Sequence, residues 1–219
     1  MKRLRQTRPW WTSALLIIVL ATLILVFRLV EDIGPDRGLG DRFVVSRILD
    51  GDTMELQGGD RLRLLALDTP EKGEAFYNEA TELVARLSMN RTARIEYAHK
   101  RRDKYGRLLG YLYIDTLFIN KMLIDSGLGY VYLFSDNDLK SDQVRLMIEA
   151  QRSAIKRKVG LWSLTHAPEE RYINKIGSFR LHRPNCRSLG KLVEGKYQTF
   201  KTREEGLATG LSPCRNCKP

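Results

Sequence analysis

Between residues 42 and 118 the apolar residues come in short, interrupted runs: FVVSRIL, TMEL, RLRLLAL, TARIEYAH and LLGYLYI. Runs of this length rich in β-branched and aromatic residues read as strands, and Asp50-Gly51 between the first two is a strong turn signal. Helical periodicity lies between and after them. GEAFYNEATELVARLSM carries Ala80, Leu83, Val84 and Leu87 on one face, INKMLIDSG reads as a short helix, and the aromatic run YVYLF follows it. From Leu139 to Lys158 a longer helix places Val144, Met147, Ile148 and Ile155 on one side, and it ends at Gly160, before Leu161-Trp162-Ser163. The polar stretch KRRDKYGR separates the fourth and fifth strands as a loop.

Five short strands interleaved with three helices predict an α+β chain built on a small closed antiparallel barrel, of the oligonucleotide-binding (OB-fold) type, with helical cover. At 219 residues there is room for one sizeable core and a smaller module, and all three cysteines fall after Pro168. The expected division is a basic end and apolar span at 1–30, a Gly/Pro-rich linker at 31–41, the barrel domain at 42–165 and a second module at 175–219. No internal repeat is visible.

Charge is unevenly placed. Residues 1–30 hold five basic and no acidic residues, and residues 176–219 hold nine basic against three acidic, while 31–175 is neutral. The two ends therefore favour anionic partners, lipid headgroups or nucleic acid. Residues 10–27, WWTSALLIIVLATLILVF, carry no charge and follow Lys2, Arg3, Arg5 and Arg8. That length suits a membrane-spanning helix, and Phe27-Arg28-Leu29-Val30-Glu31 offers no small-residue cleavage site, so an anchor is favoured over a cleaved signal. The basic flank would hold the N-terminus in the cytoplasm and carry the rest of the chain outside it, at the cell surface or in the periplasm.

Candidate chemistry sits in the barrel. Asp52 lies in a turn, Arg63 is on a strand, Asp68 ends that strand, and Glu71 follows across Thr69-Pro70. Carboxylates with a nearby carbonyl are hard oxygen ligands, suited to Ca²⁺ or Mg²⁺. Arg63 and Arg107 can grip phosphate oxygens bidentately. A cation site, a base near water and positive charge for a developing anion are what phosphodiester hydrolysis needs. Taken singly, an Asp in a turn is most often a turn former, and a strand arginine is most often solvated or paired.

In combination, ILDGDTMEL, LRLLALDTPE, DKYGRLLGYLY and a helix closing on GLWS resemble the staphylococcal nuclease (thermonuclease) family over about residues 43–163. The resemblance implies that Asp52, Asp68 and the Thr69 carbonyl bind calcium, and that Glu71 is the general base for the attacking water. It implies that Arg63 and Arg107 hold the phosphate, with Lys104 and Tyr105 beside it. Members of that family cleave DNA and RNA to leave 3′-phosphate ends. One departure stands out: Tyr130 and Tyr132 fall out of register with two substrate-contacting tyrosines of the family, whose places fall to Leu133 and Ser135.

The last segment carries His182, Cys186, Cys214 and Cys217 in the pattern H-x₃-C-x₂₇-C-x₂-C. Two close ligand pairs suit one tetrahedral zinc; a Cys214–Cys217 disulfide with Cys186 left over is the alternative. HRPNC…SPCRNCKP resembles the zinc-binding phosphotriester-repair domain of the bacterial Ada protein, over about residues 178–219. In Ada the first ligand is a cysteine that accepts the methyl group. Here His182 stands in that place, so the resemblance implies zinc binding and not methyl transfer. The module's basic balance suits holding a phosphate backbone, or the module is a structural cap. His99, beside the basic Lys100-Arg101-Arg102, and His166 are left unassigned. The function expected is thus a membrane-anchored, calcium-dependent nuclease; a non-catalytic membrane tether for nucleic acid is the alternative.

Overall fold

The computed structural model describes residues 19–24, 40–135, 137 and 139–219. The chain divides into two compact units, 1–40 and 41–219. In the first, residues 19–24 are helical; the rest of the expected span at 10–27, and the expected linker apart from residues 40 and 41, lie outside the described residues. Among the described residues no helix is long and apolar enough to cross a membrane. This overturns the single-pass localisation expected from the sequence. Six helical residues, 19–24, rise about 9 Å, against roughly 30 Å of hydrocarbon.

The second unit begins with β1 (Arg42–Ile48), β2 (Thr53–Leu56), β3 (Arg61–Leu64) and β4 (Leu67–Asp68). Helix α1 (Tyr77–Ser88), β5 (Thr92–Arg102), β6 (Leu108–Ile114) and β7 (Leu117–Phe118) follow. Strands β3, β2, β1, β5 and β6 pair in that order, and β6 returns to β3, closing a five-stranded barrel as the alternation predicts. The closing pair is parallel, with Leu62 opposite Leu108 and Leu64 opposite Gly110. A parallel pair needs a long crossover, and α1 with β5 supplies it. Met54, Leu62, Leu64, Ile95, Leu108 and Leu112 fill the barrel, each no more than 2% exposed. Their alternate positions on the strands are the ones a pleated sheet turns to one side.

Local structure departs from the sequence pattern at three places. RLRLLAL is not one strand: Ala66 sits in the left-handed region at φ 54°. That kink turns β4 out of the barrel to pair with β8 (Tyr130–Val131), setting Asp68 opposite Tyr130. The first helix starts at Tyr77 rather than near Gly73, because Phe76, at φ 68°, is left-handed too. Finally, β5 runs on through Lys100-Arg101-Arg102, expected as loop. A register shift between Tyr97 and Arg102 bends the strand, and Arg102 is held by Asp60 at 2.8 Å.

Helix α2 (Ile119–Asp125) and α3 (Asp142–Arg157) cover the barrel. Ser141 caps α3, accepting from the Val144 N–H at 3.3 Å. Val144, Met147, Ala150, Gln151 and Ala154 are its buried residues, whereas Ile148 and Ile155 are half-buried. Gln151 is buried because α3 is covered on two sides. Beyond the 3₁₀ turn Gly160–Ser163, strands β9 (Tyr172–Lys175), β10 (Arg180–Leu181), β11 (Tyr197–Phe200) and β12 (Ser212–Pro213) and helix α4 (Arg203–Leu207) form a small cap. Its Tyr172, Leu181, Leu207 and Leu211 share one apolar cluster with Ala154 of α3 and with Trp162. The cysteine-bearing segment and the barrel are therefore one packed body.

Candidate active site

A cleft of about 660 Å³ opens where β2, β3 and the 103–107 loop meet the chain after β8. Asp52 and Arg63 line it, and Asp68, which lines the adjoining pocket with Thr69, Glu71 and Arg215, touches Arg63. Arg63 pairs with Asp52 through Nη1 and with Asp68 Oδ1 through Nη2 at 3.3 Å. Asp52 Oδ2 also accepts the Thr69 N–H at 3.0 Å, and its Oδ1 accepts the Thr53 hydroxyl at 3.1 Å. Thr53 and Arg63 face each other across β2–β3, so the strand register delivers the arginine to the carboxylates. Gly51 lets the Asp52 turn come close: a Cβ there would stand 2.7 Å from Thr69 Oγ1 and 2.9 Å from Ala80 Cβ.

Electrostatics agree with a cation-seeking floor. Burial pushes the Asp68 carboxyl above the ordinary aspartate value, despite Arg215 and Arg63 beside it. Asp50, whose Oδ1 accepts the Asp52 N–H at 3.0 Å, is raised by burial and by the Asp52 charge. Two carboxylates, Asp52 and Asp68, that converge on one positive group fit a hard divalent cation. Asp52 and Asp68, with the Thr69 carbonyl beside them, are the residues that could hold it.

The remaining predicted residues line the same cleft without bonding to that floor. Glu71 is exposed at the rim, and its N–H donates to Glu74 Oε2 at 2.9 Å. Arg107 is held by Asp103 Oδ2, through Nε and Nη2, both at 2.8 Å. Asp103 Oδ1 also accepts the N–H groups of Tyr105 and Arg107, so one carboxylate shapes the whole turn. Lys104 and Arg107 flank the Tyr105 ring at 4.9 and 5.6 Å, and Tyr105 is 72% exposed. Of the departing stretch, Tyr132 and Ser135 line the cleft, Leu133 is buried, and Tyr130 Oη accepts from Arg203 at 3.0 Å.

His182, Cys186, Cys214 and Cys217 form a separate cluster whose ligand atoms all lie within 4.8 Å of one another. His182 Nδ1 is 3.4 Å from Cys186 Sγ, which is 3.9 Å from Cys214 Sγ, and all three cysteines are free thiols. Tetrahedral zinc with thiolates at about 2.3 Å would set sulfurs roughly 3.8 Å apart, so the donor set fits that metal and not a disulfide. Burial, with Arg180 and Lys175 nearby, lowers the His182 pKa and keeps the imidazole neutral, the form that binds metal.

Comparison with known proteins bears on what this cleft is. The family model described as "Staphylococcal nuclease homologue" matches residues 61–164. The thermonuclease of Staphylococcus intermedius is 30% identical over 166 residues, covering 69% of this chain and 96% of that protein. This chain belongs to the staphylococcal nuclease family. The thermonuclease of Staphylococcus hyicus is 28% identical over 167 residues, 69% of this chain and 97% of its own. The micrococcal nuclease of Shigella flexneri is 30% identical over 137 residues, 57% of this chain and 75% of its own. The barrel and its helices are the staphylococcal nuclease fold expected from the motifs.

Sequence reasoning missed several residues that build this family site here. Asp103 was legible as part of a D-x-x-G-R turn. Asn120 was not: it is fully buried, accepting from the Leu112 N–H at 3.0 Å and donating to the Leu65 carbonyl at 2.9 Å, which holds the β3–β4 kink. Arg215, between two cysteines, reaches the cleft from the far end of the chain.

Proposed function

We propose that this chain is a calcium-dependent nuclease that hydrolyses phosphodiester bonds of DNA or RNA and leaves 3′-phosphate ends. The observation that carries the reading is the convergence of Asp52 and Asp68 on Arg63, beside a cleft lined by Asp52, Arg63, Glu71 and Arg107. Asp52, Asp68 and the Thr69 carbonyl would hold calcium, which when bound polarises the phosphoryl group. Glu71, at the rim, takes the proton of the attacking water as its oxygen bonds to phosphorus. The bond from phosphorus to the 5′ oxygen breaks, and that oxygen leaves as a hydroxyl with a proton from solvent water. Arg63 and Arg107 donate to the phosphate oxygens as negative charge builds on them. Lys104 and Tyr105 stand beside the strand.

We assign zinc to His182, Cys186, Cys214 and Cys217, as the brace of a C-terminal module spanning 175–219. A strand-binding protein without catalysis is the second reading, and the retained Asp52, Arg63, Asp68, Glu71 and Arg107 argue against it.

The test is cleavage of single-stranded and duplex DNA by the purified protein, with calcium or with chelator, beside Glu71→Ala and Arg107→Ala. Calcium-dependent cutting that each substitution lowers by about 10²-fold or more is expected. Tight binding with no cutting above the variants would leave the second reading.

A further inference from the structure

Arg215 enters the cleft from a part of the chain that the barrel alone does not contain. Its Nη2 donates to Asp68 Oδ1 at 2.6 Å, although the two residues are 147 positions apart in sequence. Its guanidinium carbon lies 5.2 Å from the centre of the Tyr132 ring, on the cleft wall. The side chain is 58% exposed, so one edge of the fork meets Asp68 and the rest faces the solvent of the cleft.

The backbone beneath it is tied down twice. Arg215 follows Cys214, whose N–H donates to the Leu181 carbonyl at 2.9 Å and whose carbonyl accepts the Lys218 N–H at 2.8 Å. Lys218 Nζ in turn donates to Glu74 Oε1 at 2.6 Å, on the segment that carries Glu71. The His182–Cys217 cluster fixes one side of the turn and the barrel fixes the other. A short, braced loop can hold a guanidinium at a set point in a cleft in a way a free C-terminus cannot.

Charge decides what Arg215 is for. Arg63 and Arg107 already supply two guanidiniums, and Asp68 belongs with the cation site. The pair is open on the arginine side, 58% exposed against 17% for Asp68, so the Arg215 fork can turn to another partner while Asp68 stays in place. A polyanion entering the cleft, or a divalent cation neutralising Asp68, leaves the Arg215 fork for phosphate oxygens, which match its geometry. We propose that Arg215 is a substrate-positioning residue that grips a backbone phosphate next to the scissile one, so the C-terminal module completes the strand-binding groove. This rests on the nuclease reading of the cleft. The module's role is then to present Arg215, and not only to cap the barrel.

The test compares the full-length protein with Arg215→Ala and Arg215→Lys on a single-stranded DNA 12-mer and on a dinucleoside monophosphate, which has one phosphate. On the 12-mer, Arg215→Ala is expected to raise KM about 10-fold and leave kcat within about twofold. Arg215→Lys should recover part of the loss. The slope of log affinity against log salt, measured by anisotropy with chelator present, should shrink by about 0.7 in Arg215→Ala. On the dinucleoside monophosphate the variants should match the parent protein. An unchanged KM and salt slope on the 12-mer would overturn the proposal, as would an equal loss on the one-phosphate substrate, which would put Arg215 on the scissile group. If the parent protein cuts neither substrate, the nuclease reading fails on its own, and the anisotropy arm still decides whether Arg215 holds the strand. A melting temperature within about 2 °C of the parent's for Arg215→Lys separates these effects from loss of the fold.

Discussion

Gln151 Nε2 donates to the Leu207 carbonyl at 2.6 Å, while its Oε1 accepts the Val131 N–H at 2.8 Å. One buried amide thus joins the long helix, the C-terminal cap and the strand that pairs with Asp68. Replacing it with leucine takes the partner from the Val131 N–H, whereas the Leu207 carbonyl still accepts the Gly210 N–H at 3.0 Å. A buried donor left without a partner costs about 1–3 kcal/mol. Gln151→Leu should therefore lower unfolding free energy by roughly 1–3 kcal/mol, read from urea unfolding followed by circular dichroism. A loss well below about 1 kcal/mol would mean that the Val131 N–H finds another partner.

The approach of the Asp52 turn to Thr69 has no spare room. Gly51→Ala sets a methyl group against Thr69 Oγ1 and Ala80 Cβ, both closer than 3.0 Å. Overpacking of that kind costs about 1–3 kcal/mol. It also pushes Asp52 away from the Thr69 N–H, so calcium affinity, measured by calorimetry, should fall with stability. Unchanged affinity in a destabilised variant would detach the turn from the cation site.

One zinc per chain is expected by elemental analysis, and stripping it should lower the melting temperature. The three thiols packed beside His182 have no disulfide to hold them together. Cys217→Ser should lose the metal. It should also loosen Arg215, raising KM on a polynucleotide more than kcat falls. Full zinc retention by Cys217→Ser would remove that cysteine from the ligand set.

Asp103 titrates below the ordinary aspartate value. Burial alone would raise it, but the Arg107 side chain and the N–H groups of Arg107 and Tyr105 outweigh burial. A depressed carboxyl gives stabilisation that is complete above its unfolded value and is lost as pH falls through the folded one. The difference in melting temperature between the parent protein and Asp103→Asn should thus stay constant from pH 8 to about pH 5, then close below about pH 4. A difference that closed near neutrality would place the effect on another group. Arg107, released in the variant, should give a lower kcat throughout.

The sequence by itself determined the barrel, its cover and which residues gather at the cleft. Alternation along β1, β2, β3, β5 and β6 buries one set of side chains whatever else the chain does, and the strand ends place Asp52, Arg63, Asp68 and Glu71 by local spacing. The cluster of His182, Cys186, Cys214 and Cys217 was legible as two close pairs. Local pattern failed where a distant contact sets the backbone. The left-handed Ala66 and Phe76 are ordinary residues in sequence, and the first is tolerated because Asn120 holds the Leu65 carbonyl beside it. The anchor expected from the uncharged run at 10–27 is not carried by the described residues: among them 19–24 are helical, and no helix is long and apolar enough to cross a membrane. Only the tertiary structure could set Arg215 against Asp68. No periodicity links two residues 147 positions apart; they meet because the cap shares an apolar cluster with α3, and burying that surface brings the cysteine loop to the mouth of the barrel.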